Sequence, residues 1–168
     1  GGYRLDVHIA DVAFFVEEGS LIDQEALRRG TSVYFPGRVL PMLPEQLSNN
    51  LCSLRPHQLR LTQGVSIEYD AAGVPRDMEF HRGYIRSSAR LTYEQVHRAV
   101  DERDGELLAK LGPVGSMLEA ASELARLLLL RRAQRGAVDV ELPEAYVVLE
   151  KSGWVKDIVA RHRVHSHK

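Results

Sequence analysis

Val65-Ser66-Ile67-Glu68-Tyr69-Asp70-Ala71-Ala72-Gly73-Val74 decides the fold class. Val65, Ile67 and Tyr69 alternate with Ser66, Glu68 and Asp70, the period-two pattern of a strand with one buried face. Asp70-Ala71-Ala72-Gly73 reads as a turn, and the chain returns as a strand over 74–85, which makes an antiparallel hairpin. Upstream, Leu5, Val7 and Ile9 alternate with polar partners over 3–10, a second half-buried strand. Downstream the period changes. Val114, Met117, Leu118, Ala121, Leu124, Ala125 and Leu128 recur at helical spacing, and Gly136 ends the element. Paired strands beside a long amphipathic helix predict an α+β domain with a mixed, largely antiparallel sheet and packed helices.

Shorter elements fill the rest. A helix is expected over 23–29, with Asp23 as its cap and Gly30 as its stop. Val33–Phe35 is a brief extended piece. Pro36-Gly37 and Pro41-Met42-Leu43-Pro44 predict a stiff, irregular loop, since proline continues neither ladder. A helical turn is expected over 45–51. Thr92 with Gln95 three residues on forms a capping box for a helix over 92–101. Strands over 138–142 and 145–149 are interrupted at Pro143, and Lys151-Ser152-Gly153 turns the chain into a strand over 154–159. Ser166 resembles the cap of a further helix. A core strand at residue 3 and a cap at residue 166 together predict a domain cut at both ends.

The 168 residues, 18.9 kDa, are enough for one core. A formal net charge of -1 excludes a uniformly basic nucleic-acid-coating tail but not a local basic groove. The cations are 18 Arg and 4 Lys. That excess favours forked phosphate contacts, and a GC-rich gene would produce it equally. The lone Cys52 excludes a disulfide framework and a multi-cysteine zinc site. No apolar run, Leu127–Leu130 included, is longer than five residues, far too short to span a membrane. With no apolar signal core, the cytoplasm is the expected compartment.

Familiar catalytic patterns are absent: there is no Gly-x-Gly-x-x-Gly, no Walker lysine and no Gly-x-Ser-x-Gly. Cys52, between Leu51 and Leu54, reads as a structural thiol. His162, His165 and His167 lie close in sequence but lack a nearby carboxylate or cysteine to complete a metal site. His8 and Asp11 admit two readings. They form a base and its orienting carboxylate, or His8 is a satisfied histidine and Asp11 ties down the turn that follows.

Whole motifs carry more. Val7-His8-Ile9-Ala10-Asp11-Val12 is followed by Gly30-Thr31-Ser32-Val33-Tyr34-Phe35-Pro36, then by Pro41-Met42-Leu43-Pro44-Glu45 and Leu51-Cys52-Ser53-Leu54. Ile85-Arg86-Ser87-Ser88-Ala89-Arg90-Leu91-Thr92-Tyr93-Glu94-Gln95-Val96 and Arg135-Gly136-Ala137-Val138-Asp139 complete the series. In order and spacing this resembles the catalytic domain of the ribonuclease II and ribonuclease R family, processive 3′-to-5′ exoribonucleases, nearly from end to end.

The resemblance implies hydrolysis of single-stranded RNA, not DNA, to nucleoside 5′-monophosphates by water activated on Mg²⁺, a hard cation suited to carboxylates. In the family the aspartate cluster that holds the metal stands just before the Val-His-Ile-Ala-Asp strand, and a catalytic arginine motif lies later than Lys168. Residues 1–168 are therefore expected to be an internal part of the catalytic domain, with no catalytic residue and no metal ligand of their own. Tyr34 matches the tyrosine that stacks on the 3′-terminal nucleotide, a contact that grips any base. The alternative for Tyr34 is a core tyrosine. Tyr93 matches a tyrosine that helps select RNA through the ribose 2′-hydroxyl, and otherwise packs in the first turn of its helix. Val140 stands where relatives often carry a second aromatic. The rival function is a non-catalytic RNA-binding or scaffold protein on the same fold.

Overall fold

The computed structural model describes residues 1–138 and 144–161. Its centre is a three-stranded antiparallel sheet in the order β1-β4-β5, from β1 (Gly2–Ala10), β4 (Leu59–Asp70) and β5 (Pro75–Arg86). The β4–β5 turn is built as its composition predicts. Asp70 accepts backbone bonds from Ala72 and Val74 through one carboxylate oxygen and binds Arg76 through the other, while Gly73 adopts φ +71°. β4 starts at Leu59, well before the periodic run, because Arg60, Gln63 and Gly64 interrupt the apolar alternation without interrupting the ladder.

The register sorts the sheet into two faces. On one, Leu5, Ile67 and Met78 stand in a row, as do Val7, Val65 and Phe80. On the other lie Asp6, His8, Thr62, Gly64, Ser66 and His81. Helix α5 (Pro113–Gln134) approaches the β4–β5 turn, with Leu127 against Gly73. Near the same end Tyr3 titrates above its ordinary range, because the contact desolvates its phenol and the Glu123 carboxylate lies beside it. Helices α3 (Tyr93–Val100) and α4 (Gly105–Leu111) pack on α5, where Ala99 and Leu124 are buried.

Two small units stand outside the sheet. Helix α1 (Val12–Phe15) and helix α2 (Leu21–Arg29) lead into a hairpin of β2 (Val33–Phe35) and β3 (Arg38–Leu40), and β6 (Glu144–Leu149) pairs with β7 (Val155–Arg161). A π-helical turn covers Leu47–Leu51.

Several expectations are corrected. Ser20, not Asp23, caps α2: its hydroxyl accepts from the Asp23 amide, while the Asp23 carboxylate reaches back to the Gly19 amide. The loop expected after Phe35 includes strand β3, because Pro36-Gly37, with Gly37 at φ +73°, makes a two-residue turn and leaves Arg38–Leu40 free to pair. Helices α1 and α4 were not expected from periodicity. α4 is set by an Asp104 cap that accepts from the Leu107 amide, and it is too short for a stripe to emerge. The capping box of α3 forms as predicted. The strand expected over 138–142, apart from Val138, and the signals at Val140, His162, His165, Ser166 and His167 lie outside the described residues.

Candidate functional site

Tyr34 sits at the middle of β2, opposite Val39, with 77% of its surface exposed. In so short a strand, successive side chains point to opposite faces. Val33 and Phe35 share one face with Leu40 and Arg38, and Tyr34 stands with Val39 on the other. The hairpin is pinned at its base rather than by its own two strands, which would be marginal alone. The Ser32 hydroxyl accepts from the Met42 amide at 2.9 Å. Arg29, in the last turn of α2, donates to the Pro41 carbonyl at 2.8 Å while pairing with Glu25. The Glu25 carboxyl is held at a pKa of about 2 by hydrogen bonds from Arg28 and then Arg29, so this clamp stays charged at neutral pH. An exposed ring on a fixed strand can stack on a planar ligand with little further loss of side-chain freedom.

Tyr93 is the first residue of α3, directly after the Thr92 cap, and is 56% exposed. The segment before it is tied to the sheet's end: the Ser87 carbonyl accepts from the His57 amide and the Ser87 hydroxyl donates to Ala89. The exposed cations Arg86 and Arg90 flank this segment. Tyr34 and Tyr93 thus lie on separate elements, each displaying a ring.

His8 and Asp11 do not converge. His8 lies on the polar face, 3.4 Å from the Thr62 hydroxyl and edge-to-face with His81 across Gly64. Asp11 points the other way. It is 3% exposed, accepts from Gln63 at 2.8 Å and takes a forked contact from Arg82. These bonds, that from Gln63 first, hold its carboxyl below the usual range. It locks the end of β1 to β4 and β5, which is the tying role rather than the catalytic one. Cys52 is half-buried, and burial together with the Asp11 charge pushes its thiol up, away from nucleophilic reactivity.

Among the described residues no three His, Cys, Asp or Glu side chains come together to hold a metal ion. The carboxylates nearest the first motif are committed, Asp11 to Gln63 and Arg82, Asp6 to Ser66 and Arg4. Residues that sequence reasoning passed over are Arg131, Arg132 and Arg135, which line a groove with Tyr69. Arg135 entered the sequence reading only through its family motif, and the signal of all three was the arginine-rich continuation of the α5 stripe.

The RNB domain model matches residues 1–168. Ribonuclease R of Thermotoga maritima is 43% identical over 164 residues, 97% of this chain and 23% of that protein. Among solved structures, Mycoplasma genitalium RNase R in complex with ribose methylated single-stranded RNA superposes with a TM-score of 0.85 at 33% identity, covering 98% of this chain and 25% of that one. Yeast Ssd1, a pseudonuclease, matches at a TM-score of 0.64 and 27% identity over 80% of this chain and 15% of that one. The chain spans about a quarter of the length of the first two, and the matched parts of the two solved structures share its fold. With a match that leaves no residue out and relatives alike in sequence and in structure, the chain belongs to the RNB domain family.

Proposed function

We propose that residues 1–168 are part of the catalytic domain of a 3′-to-5′ exoribonuclease that hydrolyses single-stranded RNA to nucleoside 5′-monophosphates. The observation that carries this reading is the end-to-end likeness to ribonuclease R at 43% identity. Tyr34 stacks on the terminal base from its pinned hairpin, and Tyr93 meets a ribose hydroxyl. Mg²⁺, when bound, supplies the activated water, and its ligands come from residues of the parent other than these.

The surface supports a partial domain. A compact monomer of this mass exposes roughly 8,300 Å², whereas this chain exposes 12900 Å². Much of the apolar face of the sheet lies open, with Phe80 75% and Tyr84 71% exposed beside Val7, Ile9 and Met78. Further segments of the parent cover that face. Among the described residues no helix is long and apolar enough to cross a membrane, and a lone thiol suits a reducing cytoplasm.

The second reading is a non-catalytic RNA-binding protein, favoured by the likeness to Ssd1. That likeness is weaker in both identity and TM-score than the likeness to RNase R. The test is digestion of a 5′-labelled single-stranded RNA by the full-length parent with Mg²⁺. Mononucleotide release with progressive 3′ shortening is expected. RNA binding without hydrolysis would replace the enzyme with the second reading. The 168-residue chain by itself is expected to release no mononucleotides, and metal-dependent release by it would overturn the placement of the ligands.

A further inference from the structure

The stripe of α5 through Ala121, Leu124, Ala125 and Leu128 continues at the same spacing as Arg131, Arg132 and Arg135. A helix end gains from cations through its dipole wherever on the turn they stand. That does not explain why three of them line one groove. There they meet the β4–β5 hairpin across a groove of about 470 Å³, with Tyr69, Pro75 and Leu128 as its apolar lining.

Glycine lets the two walls of the groove approach each other. Gly73 adopts φ +71° at the turn, and a Cβ there would lie 3.0 Å from Leu127 Cβ and 3.7 Å from Arg131 Cδ. The turn therefore sits directly on the helix, and a side chain would lift it away. The turn's own carboxylate, Asp70, is already engaged by Arg76 and two backbone amides. Among the described residues Arg131, Arg132 and Arg135 form no ion pair. Three guanidiniums beside a tyrosine ring, with the local acid neutralised, form a surface for a polyanion with planar groups.

We propose that this groove binds the phosphodiester backbone of RNA, at residues separate from Tyr34 and Tyr93. The proposal rests on the exoribonuclease reading above. Arg131 and Arg135, four residues apart on one face, take adjacent phosphates, and Arg132 takes a third contact at the rim.

The experiment measures binding of a fluorescent single-stranded oligonucleotide to the full-length parent by anisotropy across a salt series. The proteins are wild type and Arg131→Gln/Arg135→Gln, glutamine keeping the helix propensity. Each phosphate contact on a single strand contributes about 0.7 to the slope of log K against log salt. Losing two should flatten the slope by about 1.4 and weaken binding roughly 25-fold at 0.1 M salt. The double Arg→Lys variant, which keeps the charge, should retain the wild-type slope. If the glutamine pair unfolds, Arg132→Gln alone, at an exposed position, should flatten the slope by about 0.7 and weaken binding roughly fivefold. Wild-type affinity and slope in a folded glutamine variant would overturn the groove alone. A wild-type parent that binds no RNA would overturn the exoribonuclease reading together with it.

Discussion

Gly64, in the middle strand of the central sheet, should tolerate a methyl group poorly, and two histidines should be the reason. β4 is the middle strand, and Gly64 pairs with His8 on one side and His81 on the other. With no side chain between them, the two rings meet edge-to-face, centroids 5.4 Å apart and planes at 69°. A Cβ at Gly64 would lie 2.6 Å from His81 Nε2 and 2.8 Å from His8 Nδ1, inside van der Waals contact with both. Two effects oppose each other in Gly64→Ala. Replacing a strand glycine gains about 0.5–1 kcal/mol from reduced backbone entropy in the unfolded chain. Forcing an extra methyl into occupied space costs about 1–3 kcal/mol. The midpoints leave a net loss of about 1 kcal/mol, roughly a fivefold rise in exchange of the β4 amides if they exchange through unfolding of the sheet. In a His8→Ala/His81→Ala background the clash is gone and only the entropy gain remains, so the same substitution should reverse sign and slow exchange. Hydrogen exchange of the β4 peptide in the parent protein, run as a double-mutant cycle, measures both. An equal loss in the two backgrounds would refute the role of the rings, and a stabilised Gly64→Ala in the wild-type background would refute the clash.

Other expectations follow from the site. Tyr34→Ala in the parent enzyme removes a stacking platform worth about 1–3 kcal/mol per base; short RNAs should be released earlier and the end product should lengthen, and an unchanged end product on a denaturing gel would refute the contact. Tyr93→Phe should narrow the gap between RNA and DNA affinity at fixed salt by about 1 kcal/mol, the low end for a lost hydrogen bond, because so exposed a phenol can bond water when the ribose hydroxyl is missing; parallel loss for both nucleic acids would leave Tyr93 as a packing residue only. Asp11 has its folded pKa below the ordinary value near 3.8, so its stabilising contribution is complete above about pH 5 and is lost as pH falls through the folded pKa. Asp11→Asn should therefore destabilise the sheet at neutral pH and flatten the acid limb of a stability–pH profile; an unaltered acid limb would show that the Gln63 and Arg82 bonds do not govern it.

What could be read from the chain divides by the range of the interactions involved. The β4–β5 hairpin, the capping box at Thr92 and the stripe of α5 are specified by neighbours a few residues apart, and each stands where the sequence puts it. Ser20 was misassigned only because Asp23, also a capping residue, bonds an amide at the same helix end. β3 was hidden because its pairing is decided by a turn at Gly37 and not by any pattern in Arg38-Val39-Leu40. The site splits the same way. Motif spacing was enough to single out Tyr34, but its exposure depends on Arg29 reaching twelve residues along the chain to the Pro41 carbonyl. Asp11 looks identical in sequence as a catalytic acid or as a lock. Only the partners arriving from positions 63 and 82 decide between them, and they do so by consuming its charge.

The arginines of α5 are the instructive opposite. Their spacing is local and visible, yet along the chain it reads as a helix end complementing its dipole. The stripe acquires a second meaning only when a hairpin some sixty residues upstream lays Tyr69 and Gly73 against it, with Asp70 already neutralised from its own strand. A charge left without a partner is a property of the assembled surface. In this fold the turn carboxylate beside those arginines, Asp70, is spent on holding the turn. The same economy that leaves Asp11 unfit for catalysis leaves the α5 cations available to a polyanion.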